Sequence, residues 1–267
     1  MTSTFSAPAA GTAVDGSVKD LTGKVALVVG GTAHMGLDFA RNFASRGASV
    51  IATYGNNEEA AAVAAARLDE AGEPGVRSEV IRADATDGAD MARVFDHVVG
   101  QYGTVDIVIH VPGAIDKTTI AEATDEQYDR LFDLNTRSAF HTLREAARRI
   151  TPGGRIIALS TSLTGLALPT YGLYSAAKTA VEVLVKSLAQ EIGGTGTTVN
   201  IVGPGPIDTP FFHGPESPES VQFVLDHLSL AHRLGRVDDV TPLVAFLVSE
   251  SARWIHGQVL RVNNGMV

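Results

Sequence analysis

From residue 24 onward, short apolar runs rich in β-branched residues alternate with longer stretches whose apolar positions recur every three or four residues. The runs at 24–29, 48–53, 76–83, 105–110, 155–159, 197–202 and 258–262 are too short for typical helices. Most are continuously apolar, which predicts strands of a parallel sheet covered on both faces. Between them, 36–46 sets Phe39, Ala40, Phe43 and Ala44 on one helical face and Asp38, Arg41 and Asn42 on the other, then meets Gly47. Asn57 predicts the cap of a helix ending at Ala71, Asp87 the cap of one ending at Gln101, and Thr124 with Gln127 a capping box. There is no internal repeat, and no Pro/Gly/Ser-rich linker divides the series. The pattern therefore predicts one α/β domain, with its helices packed on both faces of a seven-stranded sheet.

Composition narrows the function classes. With 45% hydrophobic and 19% charged residues, the 267-residue chain is globular in type. Its net charge of -9 and the absence of a dense basic run argue against nucleic acid as a partner. There are no cysteines, so disulfides, thiolate nucleophiles and cysteine zinc sites are excluded. The eight histidines are scattered without metal-ligand spacing, so no metal is expected. Residues 1–20 are small and polar, read as a flexible tail without the pattern of a signal peptide. No apolar run is long enough to span a bilayer, so the expectation is a cytoplasmic protein with no membrane partner.

The first strand runs into Gly30-Gly31-Thr32-Ala33-His34-Met35-Gly36 and then a helix. A glycine loop in that place allows a tight turn and close strand–helix packing, and it presents helix N–H groups to a pyrophosphate. It also favours an open, doubly wound Rossmann-type sheet over a (β/α)₈ barrel. Gly30, Thr32, His34, Met35 and Gly36 are the candidate phosphate-binding set. At the end of the second strand, Thr53-Tyr54-Gly55-Asn56-Asn57 carries no carboxylate to bind the ribose hydroxyls of NAD. Thr53, Tyr54, Asn56, Asn57 and the amides opening the next helix are candidates for a 2′-phosphate, so NADP(H) is the expected cofactor, with NAD(H) as alternative. No Arg or Lys stands in that segment, and Asn57 serves equally as a helix cap.

Tyr174 and Lys178, four apart in the helical stretch 171–192, emerge on one face. An ammonium beside a phenol favours the phenolate and eases proton exchange near neutral pH. The spacing is common by itself. Here it follows Ser160-Thr161-Ser162-Leu163-Thr164-Gly165 and precedes 199–209, with Pro204-Gly205-Pro206-Ile207-Asp208-Thr209. That combination resembles the single-domain branch of the short-chain dehydrogenase/reductase family, nearest in type to the ketoacyl-carrier-protein reductases, over residues 21–267. The resemblance implies a catalytic domain that reduces a carbonyl to an alcohol or runs the reverse. Tyr174 would be the acid/base, Lys178 the residue that holds the nicotinamide ribose, and Asn135 the residue that steadies a water feeding Lys178. Asp84 and Ala85 match the adenine site; Val111, Pro112 and Gly113 flank the cofactor ribose; Pro204, Gly205, Ile207 and Thr209 lie over the nicotinamide. The substrate-polarising hydroxyl is Ser162 by the Ser-x-x-Gly pattern or Thr161 by its separation from Tyr174, with Ser162 preferred. Ser160 reads as structural.

The chain departs from the family pattern at Val29 and His34, where threonine and glycine are usual, and at His110-Val111, where two asparagines are usual. These departures motivate an alternative reading as a weak or inactive NADP(H)-binding regulatory or scaffold protein. The segment 211–230 is in the place of a substrate lid, and Phe211, Phe212 and 166–169 suit an apolar or aromatic carbonyl compound. The resemblance also implies a homo-oligomer, a tetramer. No Gly-x-Ser-x-Gly elbow supports a hydrolase.

Overall fold

The computed structural model describes residues 19–72 and 75–267, so the expected tail lies outside the described residues except for Lys19 and Asp20. Strands β1 (Val25–Val29), β2 (Ser49–Tyr54), β3 (Ser78–Arg82), β4 (Ile107–His110), β5 (Arg155–Leu159), β6 (Thr198–Pro204) and β7 (Val259–Val262) form one sheet in the order β3-β2-β1-β4-β5-β6-β7. All pairings are parallel. The order runs outward in one direction through β2 and β3 and in the other from β4. The β1/β4 junction is therefore the switch point outside which α/β sheets open a crevice.

The helices are α1 (His34–Ser45), α2 (Glu58–Ala71), α3 (Gly88–Tyr102), α4 (Asp125–Phe132), α5 (Ser138–Arg149), α6 (Gly172–Ile192), α7 (Pro210–His213), α8 (Pro218–Phe223) and α9 (Val237–Leu247). Alternate residues of β1 serve the two faces. Ala26 and Val28 pack with Phe39 and Phe43 of α1, Leu68 of α2 and Val244 of α9. Val25, Leu27 and Val29 pack with Met91 and Phe95 of α3, Leu143 of α5 and Val181 and Val185 of α6. Both faces are covered, which is why the strands read as unbroken apolar runs. Each fully buried large side chain contributes about 1.5–3 kcal/mol relative to exposure.

The expected helix starts are realised in the side chains. Asn57 accepts from the Ala60 amide at 2.9 Å, Asp87 from the Ala89 amide at 2.7 Å, and Thr124 and Gln127 close a capping box. Several boundaries differ from expectation: β3 and β4, for instance, each start two residues late. β6 runs on through Gly203 and Pro204 because they keep register with Arg261 and Val262 of β7. α1 starts at His34, two residues early, with His34 itself at a positive φ of 45°. A turn of π-helix, Asp133–Arg137, joins α4 to α5, and a second, Val224–Leu228, follows α8. No helix among the described residues is long and apolar enough to cross a membrane.

Candidate active site

The carboxyl ends of β1, β4, β5 and β6 open onto one cleft of about 1200 Å³, counting its open mouth. Gly30, His34 and Met35 line it from the first loop, Val111, Pro112 and Gly113 from the segment after β4, and Thr161 and Ser162 from the segment after β5. Tyr174 and Lys178 enter from α6, and Pro204, Gly205, Ile207 and Thr209 from the end of β6 and beyond. These expected residues, spread over most of the chain, therefore share one space. Thr32, Gly36, Tyr54, Asn56, Asn57, Asp84, Ala85 and Asn135 are not on its wall.

The first loop fits a pyrophosphate on two observations. The N-cap of α1, Ala33, is extended and offers no side-chain bond, so the first amides of a twelve-residue helix lack a side-chain partner. Gly36 lets α1 approach β1, since a Cβ there would overlap the carbonyl oxygen of Gly30. Thr32 is buried and Gly36 packs inward, so both support the loop from beneath. His34 is exposed at the mouth.

Tyr174 and Lys178 are 4% and 3% exposed, and burial decides their proton affinities. It pushes the Tyr174 phenol up to about 12, against the opposing pull of the Thr161 hydroxyl, and pushes the Lys178 ammonium down to about 8. The expected lowering of Tyr174 by Lys178 is therefore corrected. Lys178 spends its ammonium on the carbonyls of Pro112 (3.3 Å) and Leu159 (3.2 Å), and burial is the largest influence on both groups.

Ser162 and Thr161 both line the cleft, but the Ser162 hydroxyl is already engaged. It donates to the Gly203 carbonyl at 3.1 Å and accepts from Asn263 Nδ2 at 2.9 Å, so it ties β5 to β6 and to the C-terminal segment. Thr161 is the hydroxyl that faces the Tyr174 phenol. Asn135 is fully buried and spends its amide on the backbone of Ala114 and Leu131, at 2.8 Å to each carbonyl. It thus holds the segment after β4 against the helical turn that carries it. Gly113 lies between Asn135 and Lys178: a Cβ there would come within 2.6 Å of Asn135 Oδ1 and 2.9 Å of Lys178 Nζ.

His110, where the chain departs from the family pattern, braces the end of β4 against α5. It is 1% exposed, with Nδ1 2.9 Å from Thr142 Oγ1 and Nε2 3.4 Å from Ser138 Oγ. Burial, reinforced by the Lys178 charge, holds its pKa well below the usual histidine range, so it stays neutral.

At the far end, several residues expected at the 2′-phosphate and adenine sites are otherwise engaged. Thr53 is buried and its hydroxyl accepts from the Gly30 amide at 3.1 Å, so it is a brace and is withdrawn as a ligand. Asn57 caps α2, whose first turn already carries Glu58 and Glu59. Asp84 folds onto its own turn, accepting from Thr86 N at 2.8 Å and Thr86 Oγ1 at 2.7 Å, and Ala85 offers its carbonyl to His141. Tyr54 is half-buried and Asn56 exposed. The second strand carries no cation at this end, but the next strand places one beside it. Arg82 pairs in register with Tyr54, and its Nε donates to the Gly55 carbonyl at 3.3 Å.

A polar cluster on the substrate side was not legible in the sequence. Glu216, whose side chain has no solvent exposure, accepts from Lys117 Nζ at 2.9 Å and from the hydroxyls of Tyr171 and Ser220. Burial pushes its pKa up, but the bonds from Ser220, Tyr171 and Lys117 outweigh this and leave it below the usual carboxylate range. The cluster fastens the segment between α7 and α8 to the start of α6. Apart from this cluster, that end of the cleft is walled by Ile115, Leu163, Leu168, Phe211, Phe212, Val224, Leu228 and Met266. Among the described residues no group of acidic or histidine side chains has the arrangement of a metal site.

Comparison with known proteins agrees with this geometry. Residues 31–267 match the family model described as enoyl-(acyl carrier protein) reductase. A short-chain type dehydrogenase/reductase of Picea abies is 40% identical, covering 92% of this chain and 93% of that protein. NADPH-dependent aldehyde reductase 2, chloroplastic, of Arabidopsis thaliana is 37% identical over 92% of this chain and 94% of its own length. The crystal structure of a short chain dehydrogenase from Burkholderia cenocepacia in complex with NADP superposes with a TM-score of 0.85 at 31% identity, covering 92% of this chain and 99% of that one. With a matching sheet, cleft and near-full-length likeness, the chain belongs to the short-chain dehydrogenase/reductase family of oxidoreductases.

Proposed function

We propose that the protein is an NADP(H)-dependent reductase that converts a carbonyl compound to an alcohol, with Tyr174 as proton donor. The observation that carries this reading is the convergence of Tyr174, Lys178 and Thr161 on one apolar-walled cleft that also contains an uncapped helix N-terminus. Residues 21–267 act as one catalytic unit, with 211–230 as its lid. When bound, the nicotinamide supplies or accepts the hydride.

The chain's own residues do the rest. The Tyr174 hydroxyl gives its proton to the substrate oxygen, and the Thr161 hydroxyl hydrogen-bonds the same oxygen and fixes its position. The Tyr174 phenol is protonated at neutral pH, the state a proton donor needs. Lys178 holds the ribose hydroxyls, and the first turn of α1 receives the pyrophosphate. Support for NADP over NAD comes from Arg82, from the lack of a carboxylate ending β2, and from the NADP and NADPH in the names of the relatives above. The apolar wall suits an apolar or aromatic carbonyl compound.

The test follows NADPH and NADH oxidation with a panel of ketones, aldehydes and quinones, comparing wild type with Tyr174→Phe. A fall of about 10²–10⁴-fold in kcat with NADPH binding intact is expected. Equal traces for both proteins on every substrate would leave only a cofactor-binding role.

A further inference from the structure

We propose that Glu182 is a positioning residue that sets the Thr161 hydroxyl against Tyr174, an inference that rests on the reductase reading above. Glu182 lies on α6 one turn beyond Lys178, is 6% exposed, and has no place in the chemistry described so far. A carboxylate buried there is costly unless it is hydrogen-bonded. Its Oε1 accepts two bonds, from Ser160 Oγ at 2.8 Å and from Thr164 Oγ1 at 2.7 Å. These two hydroxyls flank Thr161 on either side in the chain.

The Thr164 hydroxyl shares its proton with the Thr161 carbonyl at 2.9 Å and accepts from Arg261 Nη2 at 3.3 Å. Thr161 Oγ1 in turn accepts from the Leu163 amide at 3.3 Å, which holds the short turn Ser162–Thr164. The segment that carries the substrate-facing hydroxyl is thus pinned at both ends to one oxygen on the helix that carries Tyr174 and Lys178. One rigid element sets the hydroxyl, the phenol and the ammonium relative to one another. Placement of that kind governs the rate, because an error of about 1 Å at the reacting groups can cost about 100-fold.

The test compares Glu182→Gln and Glu182→Leu with wild type, alone and in a Thr161→Val background. Gln keeps an acceptor oxygen for both hydroxyls and should retain most of the kcat, while Leu should lower kcat roughly 10- to 100-fold with the KM for NADPH unchanged. In the Thr161→Val background the Leu change should cost little more, since both act through one hydroxyl. If Glu182→Leu does not yield folded protein, Thr164→Val removes one of the two bonds from the loop side and should also lower kcat without raising the KM for NADPH. Fully additive losses, or equal falls in the Gln and Leu variants, would overturn the proposal. An inert Tyr174→Phe would instead reject the reductase reading itself.

Discussion

Lys178 shows how burial and function meet in one side chain. Its ammonium is held down to about 8 against 10.5 for the free group, and it has only two backbone carbonyls for partners. A depressed lysine pKa means that the unfolded chain binds the proton more tightly, so folding carries a penalty below about pH 8 that fades as the pH rises toward 10.5. Replacing it by a neutral side chain removes that penalty. In the cofactor-free protein, Lys178→Met should therefore melt above wild type at pH 7, and the gap should close between pH 8 and 10.5. Thermal unfolding followed by circular dichroism across that range checks this, and a gap independent of pH would contradict it. His110 belongs to the same scale. A buried neutral imidazole close to Thr142 and Ser138 braces the end of β4 against α5.

Among elements, register matters more than proximity in sequence. Arg82 ends β3 and is 28 positions from Tyr54, beyond reach of any motif read along β2, yet parallel pairing sets them side by side. Arg82→Gln should weaken NADPH binding by about 5- to 30-fold, the ratio that 1–2 kcal/mol implies, while NADH binding changes little. Fluorescence titration of each nucleotide without substrate reads this directly, and equal losses for both nucleotides would remove Arg82 from the phosphate site. Glu58 and Glu59 in the first turn of α2 repel a phosphate nearby, which makes the contribution of Arg82 more visible. The elements α7 and α8 are short and carry few buried residues, and the Glu216 cluster ties them to the start of α6.

At the level of the whole molecule, Phe140 on α5 and Val183 on α6 are 43% and 57% exposed, on two helices that pack against each other. Apolar surface on adjoining helices of this kind suits a homo-oligomeric contact, and a tetramer is the expected state. Sedimentation equilibrium should return about four times the 27.9 kDa chain mass, and a monomer at micromolar concentration would reject it. The α/β alternation and both-face burial were legible from the chain because each depends on local period, and the Tyr174–Lys178 pair because it stands among the segments that together carry the family resemblance. The engagement of Ser162, the withdrawal of Thr53, the register of Arg82 with Tyr54 and the Glu216 cluster were not. Each depends on which partners the folded sheet and lid bring to a hydroxyl, a cation or a carboxylate. The local pattern determined the elements, and the assembled motifs pointed to the central chemical pair; only tertiary structure decided which polar groups are free to face a ligand and which are spent holding the fold, because burial makes every unmet hydrogen bond costly.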